Sequence, residues 1–120
     1  MLNVTVANIG ELTVVGCEGR IDKRESADKL REAVTSQTDA RIIVLELSEV
    51  RAIGGGGLGM RALLQQWARE HNIRFLLFHP SKAVEGRLKR ARSIAQFYIA
   101  SLEEMRALLA YANSRYALAA

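Results

Sequence analysis

A chain of 120 residues with 49% hydrophobic and 25% charged residues has the make-up of one soluble globular domain, residues 1–120, able to bury a core without a disulfide or a structural metal. Its net charge of +4 is modest, and the basic cluster Arg87, Lys89, Arg90 and Arg92 has no interleaved aromatic, so it reads as a solvated helix face and no nucleic-acid partner is expected. Cys17 is the single cysteine. An intramolecular disulfide is therefore excluded, a buried inert thiol is the reading, and with no signal peptide and no apolar run of membrane-spanning length the expected location is cytoplasmic.

"LNVTVA" and "LTVVGC" are β-branched runs separated by Asn8, Ile9, Gly10 and Glu11, which predicts two antiparallel strands and a short turn. After "EGRID", Asp22 is the expected cap of a helix, with Glu25 completing a capping box and Ala27, Leu30 and Val34 forming its apolar face. That helix stops in the polar stretch Thr35 to Asp39. In "RIIVLEL", residues 41–47, Ile42, Ile43, Val44 and Leu45 run together without alternation. Such a run predicts a strand buried on both faces, as in a parallel sheet. "FLLF", residues 75–78, has the same character. Between the two lies a helix, taken to start at Leu58 and to bury Met60, Leu63, Leu64, Trp67 and Ala68, so the unit is βαβ with a right-handed crossover. Ser81, just after Pro80, is the expected N-cap of a further helix with Val84, Leu88 and Ala91 on one side. "FYIA" is a short last strand. "SLEE" opens the final helix with a capping box of Ser101 and Glu104, and its stripe is Leu102, Met105, Leu108, Leu109 and Ala112. The order ββαβαβαβα predicts an α/β fold, a mixed sheet with helices packed on it.

The segment that calls for explanation is "AIGGGGLGM", residues 52–60, with four consecutive glycines between a strand and a helix. Gly54, Gly56 and Gly59 match the glycine spacing of a dinucleotide site, but the acidic residue expected about 20 positions later is absent, where the chain reads Phe78, His79, Pro80. No Gly-Lys-Ser/Thr follows, which excludes a Walker A loop. Enzyme readings have no better support. His71 and His79 are not spaced as metal ligands, and His71 sits in the polar helix end "REHN", where a C-terminal capping role is expected. Carboxylates such as Glu46 and Glu49 flank the third strand without a pairing that sequence can establish. The glycines thus serve a strand-to-helix turn with left-handed sites, an anion or nucleotide on a bare helix N-terminus, or a protein-binding surface.

"VVGCEGRID", "RIIVLELSEVRAIGGGGLGMRALL", "RFLLFHPSKAVEGRLKR" and "FYIASLEEM" together resemble a STAS domain, the family that includes the bacterial anti-sigma factor antagonists. The resemblance covers about residues 10–107. In phosphorylatable members the segment after the third strand reads apolar, Asp, Ser, small, Gly, Leu, Gly. The corresponding register here is Ile53, Gly54, Gly55, Gly56, Gly57, Leu58, Gly59. Gly54 stands where the aspartate is expected and Gly55 where the phosphoacceptor serine is; Glu46 replaces the aspartate often found in "LDLS".

The resemblance implies a non-enzymatic, cofactor-free interaction module that is not switched at the usual position, since glycine has no hydroxyl to accept a phosphate carrying about −1.5 to −2 charges. The implied contact surface is Gly54, Gly55, Gly56, Gly57, Leu58, Gly59 and the exposed face of the following helix, including Arg61 and Gln65. A serine at position 55 is expected to act there as an N-cap. The implied partners are an anti-sigma factor of the kinase type, another STAS protein in a signalling assembly, or a transporter ATPase, with a homodimer also open. A small-anion or nucleotide site on the same helix N-terminus is the alternative.

Overall fold

The N-terminal β-branched runs pair as an antiparallel hairpin, β1 (Leu2–Ile9) with β2 (Leu12–Ile21), and Ile9 stands opposite Leu12. Only Gly10 and Glu11 lie between them. Gly10 has φ 60°, the left-handed conformation that a tight hairpin turn uses and glycine adopts without strain. This computed structural model describes residues 1–90 and 99–119, with side chains for all of these except 56–58, 61 and 113–119.

Three further strands, β3 (Ile42–Ile53), β4 (Arg74–Phe78) and β5 (Ile99–Ala100), extend the sheet in parallel, in the order β1-β2-β3-β4-β5. The parallel connections carry α1 (Arg24–Thr35), α2 (Gly55–Glu70) and α3 (Lys82–Arg90), and α4 (Leu102–Ala119) follows β5. The result is a single α/β domain with a mixed five-stranded sheet and the element order read from the sequence. Among the described residues no helix is long and apolar enough to cross a membrane.

The sheet is covered unequally. On one face Val15, Cys17, Ile43, Leu45, Leu47, Phe75 and Leu77 pack with Leu30 and Val34 of α1, Leu64 and Ala68 of α2, and Val84 and Leu88 of α3. On the other face Leu12, Val44, Leu76 and Ala100 pack with Met105 and Ala112 of α4. Val44 and Leu45 are 0% and 1% exposed, so the unbroken apolar run of β3 serves two cores at once.

β3 runs on past residue 47 to Ile53, well beyond the predicted "RIIVLEL". Its pairing with β2 carries two register shifts, and at each the extra residue is on β3: Gly16 and Glu18 face Glu46 and Glu49, while Gly19 and Arg20 face Val50 and Ala52. Such bulges bend a strand and free a backbone group from the ladder. At the first of them the Ser48 N–H donates to the Glu46 carboxylate at 2.8 Å, which satisfies a donor that would otherwise lack a partner.

Several local expectations need correction. α1 is capped one residue later than Asp22 and Glu25 suggested: Lys23 is the N-cap, and the Ser26 hydroxyl accepts from the Lys23 N–H and donates to the Lys23 carbonyl. Asp22 is drawn away because its carboxylate accepts from Arg20 Nε at 2.8 Å. Leu63 and Leu102 are each 59% exposed and leave the apolar stripes assigned to them. Leu63 is adjacent to Leu64, roughly 100° around the helix, and only one of the two can point at the sheet. The expectations for Ala27, Leu30 and Val34 hold, as does Ser81 as the cap of α3, its hydroxyl accepting from Val84 N–H at 3.2 Å. The Ser101–Glu104 capping box is formed in both directions, at 3.2 and 3.1 Å. Ala91, Arg92 and the "FY" of "FYIA" lie outside the described residues.

Two expectations test this packing. Val44→Asp and Leu45→Asp should each abolish cooperative melting, because a charge without a partner in either core costs several kcal/mol against a total stability of about 5–15 kcal/mol; a native thermal transition for either variant means that face is open. Burial pushes the Cys17 thiol up to about 12, with the Glu46 charge adding to the effect. A disulfide-exchange reagent at mildly alkaline pH should leave the native thiol unmodified and label it fully in guanidinium.

Candidate functional site

The glycine run is not a turn. β3 ends at Ile53, Gly54 is extended with φ −99° and ψ −175° as the N-cap residue, and Gly55 to Gly59 are already the first residues of α2. The expected left-handed turn and the expected start at Leu58 are both corrected by this. Gly54 also occupies the cap position once assigned to residue 55. Its N–H donates to the Ile21 carbonyl at 3.0 Å, which ties the start of α2 to the end of β2.

Glycine at a helix start lowers helix stability by roughly 1 kcal/mol per residue relative to alanine. α2 persists because its later turns are anchored. Leu64 and Ala68 are buried at 1% and 0% exposure, and Met60 and Trp67 pack partly against the same core. Its C-terminus is closed by a Schellman arrangement: Ile73 N–H donates to the Ala68 carbonyl at 2.8 Å, Asn72 N–H to the Arg69 carbonyl at 3.2 Å, and Asn72 takes φ 57°. His71 is the C-cap residue, as expected. Its Nδ1–H donates to the Trp67 carbonyl at 2.8 Å, and its ring lies 4.8 Å from the Trp67 ring. That imidazole is committed to ending the helix.

The surroundings of the bare N-terminus are uneven. Gly55 and Gly59 are exposed, and a Cβ added to either would meet nothing within 4 Å. A Cβ on Gly54 would lie 3.4 Å from Asp22 Cα and 3.6 Å from Asp22 Cβ. Asp22, which the sequence assigned to α1, therefore belongs to the start of α2. The Arg20 hydrogen bond holds its carboxyl below the usual carboxylate range. One carboxylate oxygen takes that bond, and the other, Oδ1, is buried without a hydrogen-bond partner among the described residues. Nothing in the sequence placed Asp22 here except its position in the "GRID" motif. Gly19 of that motif has φ 116°, and a Cβ there would strike the Met1 carbonyl, so the approach of the N-terminal residue to β2 requires glycine.

Of the remaining expected contact residues, Gln65 is half-buried rather than on an open face, with its Oε1 shielded and lacking a hydrogen-bond partner among the described residues. The side chains of Gly56–Leu58 and Arg61 lie outside the description. Leu63, which the sequence placed in the core, is instead a large apolar residue of α2 left exposed. Beyond the first bulge, Glu18, Ser48, Glu49, Arg51 and Ser81 line an open groove of about 550 Å³. Its mixed charge selects no ligand class, but it leaves Ser48 approachable from solvent.

The ordinary backbone at the glycines has a measurable consequence. Gly55→Ala should raise stability by about 0.5–1 kcal/mol, an increase of a few degrees in Tm, and Gly54→Ser should add a few tenths of a kcal/mol through N-capping. A fall in Tm for Gly55→Ala would mean that the helix does not start at this residue.

No family model and no curated protein matches the sequence. Solved structures do match the fold. An anti-sigma factor antagonist from Mycobacterium paratuberculosis superposes with a TM-score of 0.76 at 19% identity, covering 91% of this chain and 94% of that one. The anti-sigma factor antagonist SpoIIAA in its unphosphorylated form gives 0.71 at 14% identity, with 86% and 92% covered. A serine-to-glutamate variant of RsbS from Moorella thermoacetica gives 0.71 at 16%, with 90% and 95% covered. Over nearly its whole length the chain therefore has the STAS-like fold of the anti-sigma factor antagonists.

Proposed function

We propose that this protein is a non-enzymatic protein–protein interaction module of the anti-sigma factor antagonist type, which docks through the start and outer face of α2 and is not switched by phosphorylation at the usual position. The observation that carries the reading is Gly55. It is the first residue of α2, is exposed, has free space around its Cα, and has no hydroxyl. The fold shared with the antagonists supports protein contact as the mode of action. The proposed surface comprises Gly54, Gly55, Gly56, Gly57, Leu58 and Gly59 with Leu63, and Arg61 and Gln65 as further contacts. A protein partner accounts for Leu63, since a large apolar side chain left 59% exposed on α2, about two turns beyond its bare start, suits a desolvated contact.

The partner class is an anti-sigma factor of the kinase type, another STAS protein, or a transporter ATPase. An anion or nucleotide at the same helix start is the weaker reading, because Asp22, an acidic residue, packs against Gly54 at that start. Catalysis finds little support in His71, whose ring closes α2, or in Cys17, whose thiol is buried.

Affinity capture from the native cell extract, followed by titration of the captured partner against Gly55→Asp and Leu63→Asp, tests the proposal. Both variants should keep the wild-type melting curve, because both positions are exposed and a carboxylate is favourable near a helix start. Both should weaken the partner at least tenfold, about 1.4 kcal/mol. Wild-type affinity in both variants places the interface elsewhere. Incubation with a kinase-type partner and ATP should leave residues 53–60 without phosphate; stoichiometric phosphate on Ser48 instead would end the claim that the switch is lost.

A further inference from the structure

The two edges of the sheet are treated differently. In β5 the described strand is two residues long, Ile99–Ala100, and a short edge is a common protection against further pairing. β1 has no such protection. It is eight residues long, pairs among the described residues with β2 alone, and contains no charged residue, no proline and no register shift. Asn3, Thr5, Val6, Ala7 and Asn8 are all exposed, Val6 at 40%.

The pairing with β2 determines which backbone groups the edge offers. Arg20 N–H donates to the Met1 carbonyl, and hydrogen-bonded pairs alternate along an antiparallel ladder. Met1, Asn3, Thr5, Ala7 and Ile9 therefore direct their N–H and C=O groups to β2. Leu2, Val4, Val6 and Asn8 direct theirs outward. The outward Leu2 carbonyl is taken by Lys29 Nζ of α1 at 2.7 Å, so the edge is closed at that end and, among the described residues, open from Val4 to Asn8. Asn8 is held in place by the Thr13 hydroxyl, which donates to its Oδ1 at 2.7 Å.

We infer that the β1 edge is a homodimer interface, in which a second copy of this chain adds its own β1 antiparallel across a two-fold axis at Val6. In that register Val6 meets Val6 of the second copy, and Val4 meets Asn8 in each direction. Each of these pairs exchanges N–H and C=O bonds, and together they use the outward groups that the edge leaves open. The side chains match as well. A two-fold axis sets every residue against its own symmetry partner's neighbourhood, so a charged residue near the axis would face its like; β1 has none. At the ends of the ladder Leu2 falls opposite Gly10 of the second copy. This brings Lys29, bound at Leu2, to the end that carries the exposed Glu11 of the other chain, where Glu11 lies 3.8 Å from its own Arg41 and can be shared between the two cations. The β1 edge is distinct from the α2 docking surface, and the inference does not depend on the identity of a regulatory partner.

Sedimentation velocity on the full chain over a wide concentration series reads the association directly. The wild type should pass from monomer to dimer, and Val6→Lys, which sets two ammonium groups against each other on the axis, should remain monomeric at every concentration with an unchanged melting curve. A second variant keeps the test independent of that substitution. Thr5 lies opposite Ala7 of the second copy in a non-hydrogen-bonded pair, where Cα atoms are ~4.5 Å apart, within disulfide range. The double variant Thr5→Cys, Ala7→Cys should form a covalent dimer on oxidation, while the buried Cys17 leaves the wild type uncrosslinked. A wild type that stays monomeric throughout, a dimer that survives Val6→Lys, or a double variant that does not crosslink overturns the proposal.

Discussion

The structure depends on one strand that must be dry on both sides. Val44 is buried beneath α4, and its neighbour Leu45 is buried beneath α1, α2 and α3. Neither core can be built without the other, because the same backbone segment delivers both side chains. A parallel sheet with helices on one face alone would leave Leu12, Val44 and Leu76 in water. α4 answers that need, and the capping box at Ser101 starts it directly after β5. The position of α2 follows from the same strand, since β3 runs straight into Gly54.

The candidate docking helix is built with unequal ends. Its last turn is held by the Schellman bonds of Asn72 and Ile73, by the His71 ring on Trp67, and by Ala68 in the core. Its first turn has no side-chain cap and is made of glycine. Packing at one end compensates for weak propensity at the other, as expected where tertiary contacts supply most of the stability of a helix. A helix start of this kind presents bare backbone without an adjoining loop to order.

Much of the fold was legible because it rests on strong local patterns. The unbroken "IIVL" marked a doubly buried strand, Ser81 and Ser101 marked helix starts, and the polar "REHN" marked a helix end closed by His71. Other features were decided by neighbours remote from the pattern. Asp22 and Glu25 form a good capping box on paper, but Arg20 holds the Asp22 carboxylate and Ser26 closes the cap instead. Leu63 and Leu64 are equally apolar, and only the orientation of the helix on the sheet distinguishes them. The glycine segment stood out in the sequence, but its conformation did not. Residues 54–59 were marked by composition, whereas glycine propensity argues against the helix that Leu64 and Ala68 impose on them. The far half of β3 was missed because its bulges break the alternation by which strands are recognised.

Those bulges also set a rule of length parity for this chain. Up to the first shift the residues of β3 that face α1, α2 and α3 are Ile43 and Leu45, with Leu47 inside the shift; after it the residue on that side is Val50, and after the second it is Ile53. One extra residue inverts the inside and outside of everything downstream, and a second inverts it back. Loss of a single residue between Leu47 and Ala52 would turn Ile53 to solvent and present α2 with its faces exchanged. Loss of one residue from each bulge would restore the phase and only draw the helix start back along the strand, at ~3.3 Å per residue. Changes of length in this segment should therefore be inherited in pairs, so that sequence drift just before α2 proceeds in steps of two.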